Sequence, residues 1–435
     1  MLEKVIVVGL VLPALTRSVA EEHLAELEKL VETAGGTVVD RILAKRPAPD
    51  PATFVGKGKA EQLKAAVDRF GATLVVFDDD LSPAQARNLE KAVGVGVIDR
   101  SGLILDIFAS RARSREARTQ VELAQLEYTL PRLTRAWTHL ERQAGGIGTR
   151  GVGETQLELD RRIIRNRIAR LKTDLLKIER TRETQRKSRI ETFVVALVGY
   201  TNAGKSTLFN RLTSGDAVAV DKLFATLDAK TQRIAFDMPR ETVVVDTVGF
   251  IRKLPHNLVA SFRSTMEEAV AADLVLHVID VSHPQFDEQR EIGNEVLRDL
   301  GVAADRVVEV LNKDDRLRGL EVSESRSAPS ERSAKRRETS RPRDLATPLA
   351  VSALTGRGID RLVDAIKLHE LKNGDVISLE IPHNDSRMIA KLHEVAEVYE
   401  QRVSDHAMLI TAWVPRDALH LFDAYVASVR RVKAG

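Results

Sequence analysis

The chain has 435 residues, 43% of them hydrophobic and 30% charged, with a formal net charge of +3. That length allows about three domains of ordinary size. The near balance of charge excludes a polycation, so any nucleic-acid surface has to be local. There is no cysteine, which excludes a disulfide framework and thiolate metal sites and fits a reducing compartment.

The elements are read in chain order. Val5 to Leu10 is predicted to be a buried strand; with Glu3 and Lys4 as the only charges of Met1 to Leu15 and no basic leader, a signal peptide is the weaker reading. No stretch approaches the roughly 18 apolar residues of a spanning helix. Ala20 to Thr33 has a helical period, Thr37 to Ile42 is extended, Lys59 to Phe70 helical, Leu74 to Phe77 extended, Pro83 to Val93 helical and Val95 to Asp99 extended. Alternation of this kind predicts an α/β domain with a largely parallel sheet.

Residues 112–190 differ. Leu123, Leu126, Leu130, Leu133 and Trp137 form one seam of alternating three- and four-residue steps, and Ile164, Ile168, Leu171, Leu175 and Ile178 a second. Two such helices predict a coiled-coil hairpin, with Pro131 kinking the first. The glycines of Gly145 to Gly153 would place the tip between them.

Phe193 to Val198 is an apolar strand leading into Gly199-Tyr200-Thr201-Asn202-Ala203-Gly204-Lys205-Ser206, a complete phosphate loop followed by a helical stretch. Backbone N–H groups of such a loop cradle a phosphate chain. Lys205 is expected on the β- and γ-phosphates and Ser206 on Mg²⁺. Alone, the loop leaves ATP and GTP both open.

Four later segments decide the base. Asp246-Thr247-Val248-Gly249 ends a strand, where Asp246 would reach Mg²⁺ through water and the Gly249 N–H the γ-phosphate. Asn312-Lys313-Asp314-Asp315 follows Val307 to Leu311 and sets the Asp315 carboxylate against the paired N–H donors that guanine has and adenine lacks. Ser352-Ala353-Leu354 is the loop whose backbone reads the guanine oxygen. Phe224-Ala225-Thr226-Leu227-Asp228 lies where a switch threonine binds Mg²⁺; Thr226 is favoured, with Thr231 and Thr201 as alternatives. Lys205, Thr226 and Gly249 are the expected catalytic set. Phe250 stands where a water-positioning glutamine would be, so slow unaided hydrolysis is expected.

Beyond the motifs, Glu321 to Asp344 is rich in Ser, Arg and Glu and predicted to be a disordered insertion. Val376 to Ile381 is extended, Ser386 to Val403 helical, Ala407 to Val414 extended and Ala418 to Val429 helical. The fold class is thus α/β: an N-terminal α/β domain (1–111) with an α-helical coiled-coil hairpin (112–190), a P-loop GTPase domain with a mixed sheet and helices on both faces (191–370), and a small α+β C-terminal domain (371–435).

The chain resembles the HflX-type ribosome-associated GTPases over nearly its full length. The resemblance rests on Phe54-Val55-Gly56-Lys57-Gly58-Lys59, Asp99 to Phe108, Gln120 to Leu126, Gly145 to Arg162, Phe224 to Asp228 and Asp246 to Phe250. It implies binding of GTP and GDP, and of the large ribosomal subunit and its ribosomal RNA. It also implies splitting or rescue of stalled ribosomes under stress, with hydrolysis stimulated by the ribosome. The hairpin tip would be the RNA contact, through Gly148, Thr149, Arg150 and Gly151, with Arg161 and Arg162 beside it. Residues 131–190 hold sixteen Lys or Arg against seven Asp or Glu, the footprint of phosphate binding or of a solvated coiled-coil face. A cytoplasmic protein, partly membrane-associated through ribosomes and monomeric away from them, is the expectation. The alternatives are a GTPase of a tRNA-modification complex and an RNA-binding scaffold using GTP as a structural switch.

Overall fold

A computed structural model describes residues 3–133, 156–187, 192–213, 223–224, 226–235, 240–253, 266, 268–316, 348–404 and 406–430. The chain divides into two compact units. The first comprises Met1–Arg180, Lys222–Leu227 and Lys253–Arg263, and the second Thr181–Asp221, Asp228–Arg252 and Ser264–Gly435.

In the first unit, strands β1 (Lys4–Val11), β2 (Thr37–Lys45), β3 (Leu74–Phe77) and β4 (Gly96–Asp99) form a parallel sheet in the order β2-β1-β3-β4. β1 is central and buried along all but its first residue, which is why it reads as one continuous apolar run. The connecting helices are α1 (Arg17–Ala34), α2 (Lys57–Phe70) and α3 (Pro83–Val93). Their ends are locally encoded. Thr16 caps α1 by accepting from the Val19 N–H, and Ser82 and Gln85 form a reciprocal capping box ahead of Pro83. Helix α4 (Arg100–Arg111) is capped by Asp99, whose carboxylate accepts from the Gly102 N–H.

The first seam helix is shorter than its sequence period. Helix α5 (Arg115–Thr129) ends in a 3-10 turn over Leu130–Arg132, because Pro131 cannot supply an N–H. Trp137 and the Gly145–Gly153 tip lie outside the described residues. Helix α6 (Gln156–Lys187) keeps its seam: Leu171 is buried and Ile164, Ile168, Leu175 and Ile178 are half-buried, whereas Ile163 and Leu176 beside them are exposed. Arg167 pairs with Glu122 over 2.7 Å and Lys172 with Glu127 over 2.8 Å, so α5 and α6 are also linked by charge.

The second unit is built on six strands, β5 (Thr192–Gly199), β6 (Lys230–Arg233), β7 (Glu241–Asp246), β8 (Leu274–Asp280), β9 (Val307–Asn312) and β10 (Leu349–Ala350). Their order is β10-β9-β8-β5-β7-β6, parallel except for the antiparallel β6–β7 pair, which is the expected mixed sheet. β5 and β8 are interior strands, and β8 is buried at every residue. Helices α7 (Lys205–Thr213), α8 (Phe286–Asp299) and α9 (Ile359–Lys372) follow the phosphate loop, β8 and β10. One apolar core joins Phe193, Leu197, Leu208, Leu212, Leu276, Val310, Leu362 and Ile366. The expected insertion at Glu321 to Asp344 lies outside the described residues.

The last domain is α+β, with two corrections to its elements. The helix expected over Ser386 to Val403 is a helix, α10 (Ser386–Val395), then a strand, β12 (Glu397–Val403). The helix expected over Ala418 to Val429 is two short 3-10 turns and a strand, β14 (Val426–Arg430). With β11 (Gly374–Pro382) and β13 (Ala407–Pro415) these make an antiparallel sheet, β12-β13-β11-β14. Cross-strand pairing overrode helical spacing here: Glu397 to Val403 carries Val398, Tyr399 and Val403, residues that suit a pleated surface.

Candidate functional site

The second unit places the phosphate loop where β5 gives way to α7. Gly204 (φ 93°) and Asn202 (φ 62°) take left-handed conformations that turn the chain back on itself. Asn312 holds this loop from across the sheet. Its side-chain amide donates to the Ala203 carbonyl over 2.8 Å, and its carbonyl oxygen accepts from the Ala353 N–H over 3.0 Å. One side chain therefore ties together three of the sequence motifs. Asn312 is 2% exposed, so both bonds are shielded from water.

Lys205 is buried, and its ammonium donates to the Gly199 carbonyl over 3.0 Å and the Tyr200 carbonyl over 2.9 Å. Burial pushes its pKa down to about 8, opposed by the negative charge of Asp246. The Ser206 hydroxyl donates to an Asp246 carboxylate oxygen. Gly249 approaches so closely that a Cβ there would stand 2.8 Å from the Thr201 Cα and 2.9 Å from the Lys205 Nζ, so no other residue fits without displacing the loop.

Asp246-Thr247-Val248-Gly249 is buried throughout. The Thr247 hydroxyl donates to the Leu197 carbonyl over 2.7 Å. Phe250 is 1% exposed, and its backbone bridges to the phosphate loop: its N–H donates to the Gly199 carbonyl and its carbonyl accepts from the Thr201 N–H. The side chain at the glutamine position is thus a core residue.

Past the end of β9, the Oδ1 of Asp315 is buried and makes no hydrogen bond among the described residues. Lys313 adopts φ 66° and donates to the Asn202 carbonyl over 2.8 Å and to Asp280 over 2.6 Å. Arg357 lies 3.6 Å from Asp314. Asp280, at the end of β8, was not singled out by sequence. Its one signal is that it ends an apolar strand, as Asp246 and Asn312 do.

The expected switch segment falls in the first unit through Leu227. Phe224 (φ 54°) packs its ring against Phe108 at 4.6 Å, and Arg111 donates to the Phe224 carbonyl. Thr226 and Leu227 are buried, Asp228 belongs to the second unit, and Ala225 lies outside the described residues. Lys253 pairs with Asp78 over 3.0 Å and with Asp79; Asp78 in turn accepts from Arg100. No motif pointed to Arg111 or Asp78. Of the expected RNA contacts, Gly148, Thr149, Arg150 and Gly151 lie outside the described residues; Arg162 is exposed and Arg161 half-buried. Among the described residues no helix is long and apolar enough to cross a membrane.

Comparison with known proteins agrees with this geometry. Residues 21–109 match a family model described as GTP-binding GTPase N-terminal, 111–189 one described as GTP-binding GTPase Middle Region, and 194–313 one described as 50S ribosome-binding GTPase. GTPase HflX of Caldanaerobacter subterraneus is 44% identical over 91% of this chain and 88% of that protein. GTPase HflX of Escherichia coli is 46% identical over 87% of this chain and 86% of that protein. A solved complex of SsGBP with GDP is 26% identical, covering 84% of this chain and 97% of that one, with a TM-score of 0.47.

Proposed function

This chain belongs to the HflX family of GTPases, and we propose that it hydrolyses GTP slowly alone and faster on the large ribosomal subunit, splitting or rescuing stalled ribosomes under stress. The observation that carries the reading is Phe250. A buried phenyl ring stands where a side chain would orient the attacking water, so the missing group has to come from elsewhere. The match of residues 194–313 to a family of 50S ribosome-binding GTPases supports the large ribosomal subunit as the partner that completes the site.

The residues divide the work by chemistry. The backbone of Gly199 to Ser206 cradles the phosphates, and the Lys205 ammonium leaves its two loop carbonyls for the β- and γ-phosphates. Asp315 offers its unpaired oxygen to the guanine N–H donors. Asn312 keeps the phosphate and base ends in register, and the Gly249 N–H meets the γ-phosphate.

Mg²⁺ fits the donors present. A hydroxyl and a carboxylate, those of Ser206 and Asp246, already lie together, and both are the hard oxygen donors that ion requires. Ser206 and Thr226 would ligate it directly and Asp246 through water. When bound, the ion supplies charge to the phosphate oxygens during transfer. Gly148, Thr149, Arg150, Gly151, Arg161 and Arg162 are the proposed RNA contacts, and the cytoplasm, where ribosomes work, is the proposed location.

Sucrose-gradient sedimentation with ribosomes tests the reading. The protein loaded with a non-hydrolysable GTP analogue should travel with large subunits and raise the share of free subunits over intact ribosomes, and with GDP it should stay at the top. If neither nucleotide state travels with large subunits, the reading is wrong.

A further inference from the structure

Helix α7 carries more than Lys205. Arg211, on its second turn, spreads its guanidinium over two consecutive carbonyls of the Ser352–Leu354 loop. Nε donates to the Ala353 carbonyl over 3.2 Å and an Nη to the Leu354 carbonyl over 2.5 Å. Gly356 (φ 85°) lies beside it, and a Cβ there would stand in van der Waals contact with the Arg211 Cζ at 3.7 Å. A planar fork can hold two acceptors at once, which an ammonium cannot do with the same geometry.

The other bonds of the loop are accounted for. The Ala353 N–H donates to Asn312, the Thr355 N–H to the Ser352 hydroxyl over 3.1 Å, and the Gly356 N–H to the Ser352 carbonyl over 2.8 Å. The Leu354 N–H makes no hydrogen bond among the described residues. Packing holds this peptide on its Ala353 side alone: Ala353 is buried in the core, whereas the Leu354 side chain is 70% exposed. In a planar trans peptide the carbonyl of one residue and the N–H of the next point opposite ways. Fixing the Ala353 carbonyl on Arg211 therefore fixes the direction of the Leu354 N–H.

We propose that Arg211 is a positioning residue for base recognition: by holding the Ala353 and Leu354 carbonyls it aims the Leu354 N–H at the guanine O6. This rests on reading Ser352–Leu354 as the loop that meets the base. Because Arg211 shares a helix with Lys205, the same rigid element then sets both the phosphate grip and the base contact.

The test is competition against a fluorescent GDP with the full chain, its Arg211→Ala variant and its Arg211→Lys variant. Three ligands are compared. GDP has the O6 acceptor; 6-thio-GDP replaces it with a weakly accepting sulfur; IDP keeps O6 and lacks the 2-amino group that Asp315 reads. The wild-type protein should prefer GDP over 6-thio-GDP by roughly tenfold, the scale of one hydrogen bond. Both variants should reduce that preference to under about twofold and keep the preference for GDP over IDP. Retained IDP discrimination shows that the variant is folded with an intact Asp315 contact. If both variants keep the full preference over 6-thio-GDP, or lose both preferences together, the positioning role is wrong. If the wild-type protein shows no preference for GDP over 6-thio-GDP, the reading of the loop itself fails and the proposal with it.

Discussion

The Ser206 hydroxyl donates to a carboxylate oxygen of Asp246 over 2.8 Å. It joins the first turn of α7 to the end of β7 and brings two of the proposed Mg²⁺ residues together. Ser206→Ala removes one proposed ligand and that contact. GTP hydrolysis on ribosomes should fall about a hundredfold, the usual cost of losing one electrostatic contact to the reacting phosphate. Chelating Mg²⁺ with EDTA should abolish wild-type turnover and add little to the loss in the variant. A Ser206→Ala protein as EDTA-sensitive and as active as wild type would remove Ser206 from the metal site.

Asp315 holds a buried oxygen with no hydrogen-bond partner among the described residues. Asp315→Asn should replace that acceptor with an amide that pairs with the extra carbonyl of xanthine. GTP affinity should drop by about 2 kcal/mol, and xanthosine triphosphate should become the better ligand. Competition binding with the two nucleotides checks this, and unchanged guanine selectivity would refute the assignment.

Lys205 is held at a pKa of about 8 by burial. A bound phosphate chain stabilises its charged form, so the complex keeps the proton to higher pH than the free protein. Nucleotide affinity should therefore be level below pH 8 and fall above it, by up to about tenfold per pH unit. Proton uptake on GDP binding should appear by calorimetry at pH 8.5 to 9, in buffers of different ionisation heat. A flat affinity between pH 7 and 9.5 would contradict it.

Glu370 and Arg240 form a buried pair over 3.1 Å where the nucleotide-binding sheet meets Trp413 of the last domain, whose indole N–H donates to the Leu371 carbonyl. Burial pushes the Glu370 pKa up to about 7, with Arg240 opposing. The folded carboxyl then holds a proton that the unfolded one releases near its ordinary value. Its ionisation costs stability progressively as pH rises from about 4.5 to 7. Glu370→Gln cannot ionise, so the Tm of the variant should gain on wild type across that window and hold steady above it. Parallel melting curves of the two proteins would overturn this.

The positions of the proposed nucleotide-site segments were largely legible in the sequence because each is a short local pattern at a strand end. Residues 199–206, 246–249, 312–315 and 352–354 all stand where strand-then-loop order put them. What brings them together was not legible. Arg211 and Ala353 are 142 residues apart, and Lys313 and Asp280 lie 33 apart, with no spacing rule connecting them. The Phe224 segment looked like part of the nucleotide domain, yet its ring and carbonyl are held by Phe108 and Arg111. In the last domain the apolar spacing of Glu397 to Val403 fitted a helix until β13 was available as a pairing partner.

With the buried Phe250 at the water-positioning place, the proposed function has the large ribosomal subunit complete the site. Single-turnover GTP hydrolysis by the full chain, with and without purified large subunits, measures this directly. Cleavage should be slow alone and at least about a hundredfold faster with subunits, against the 10³ to 10⁵ that a supplied catalytic group typically contributes in such enzymes. Fast cleavage by the protein alone, or a rate that subunits leave unchanged, would contradict it.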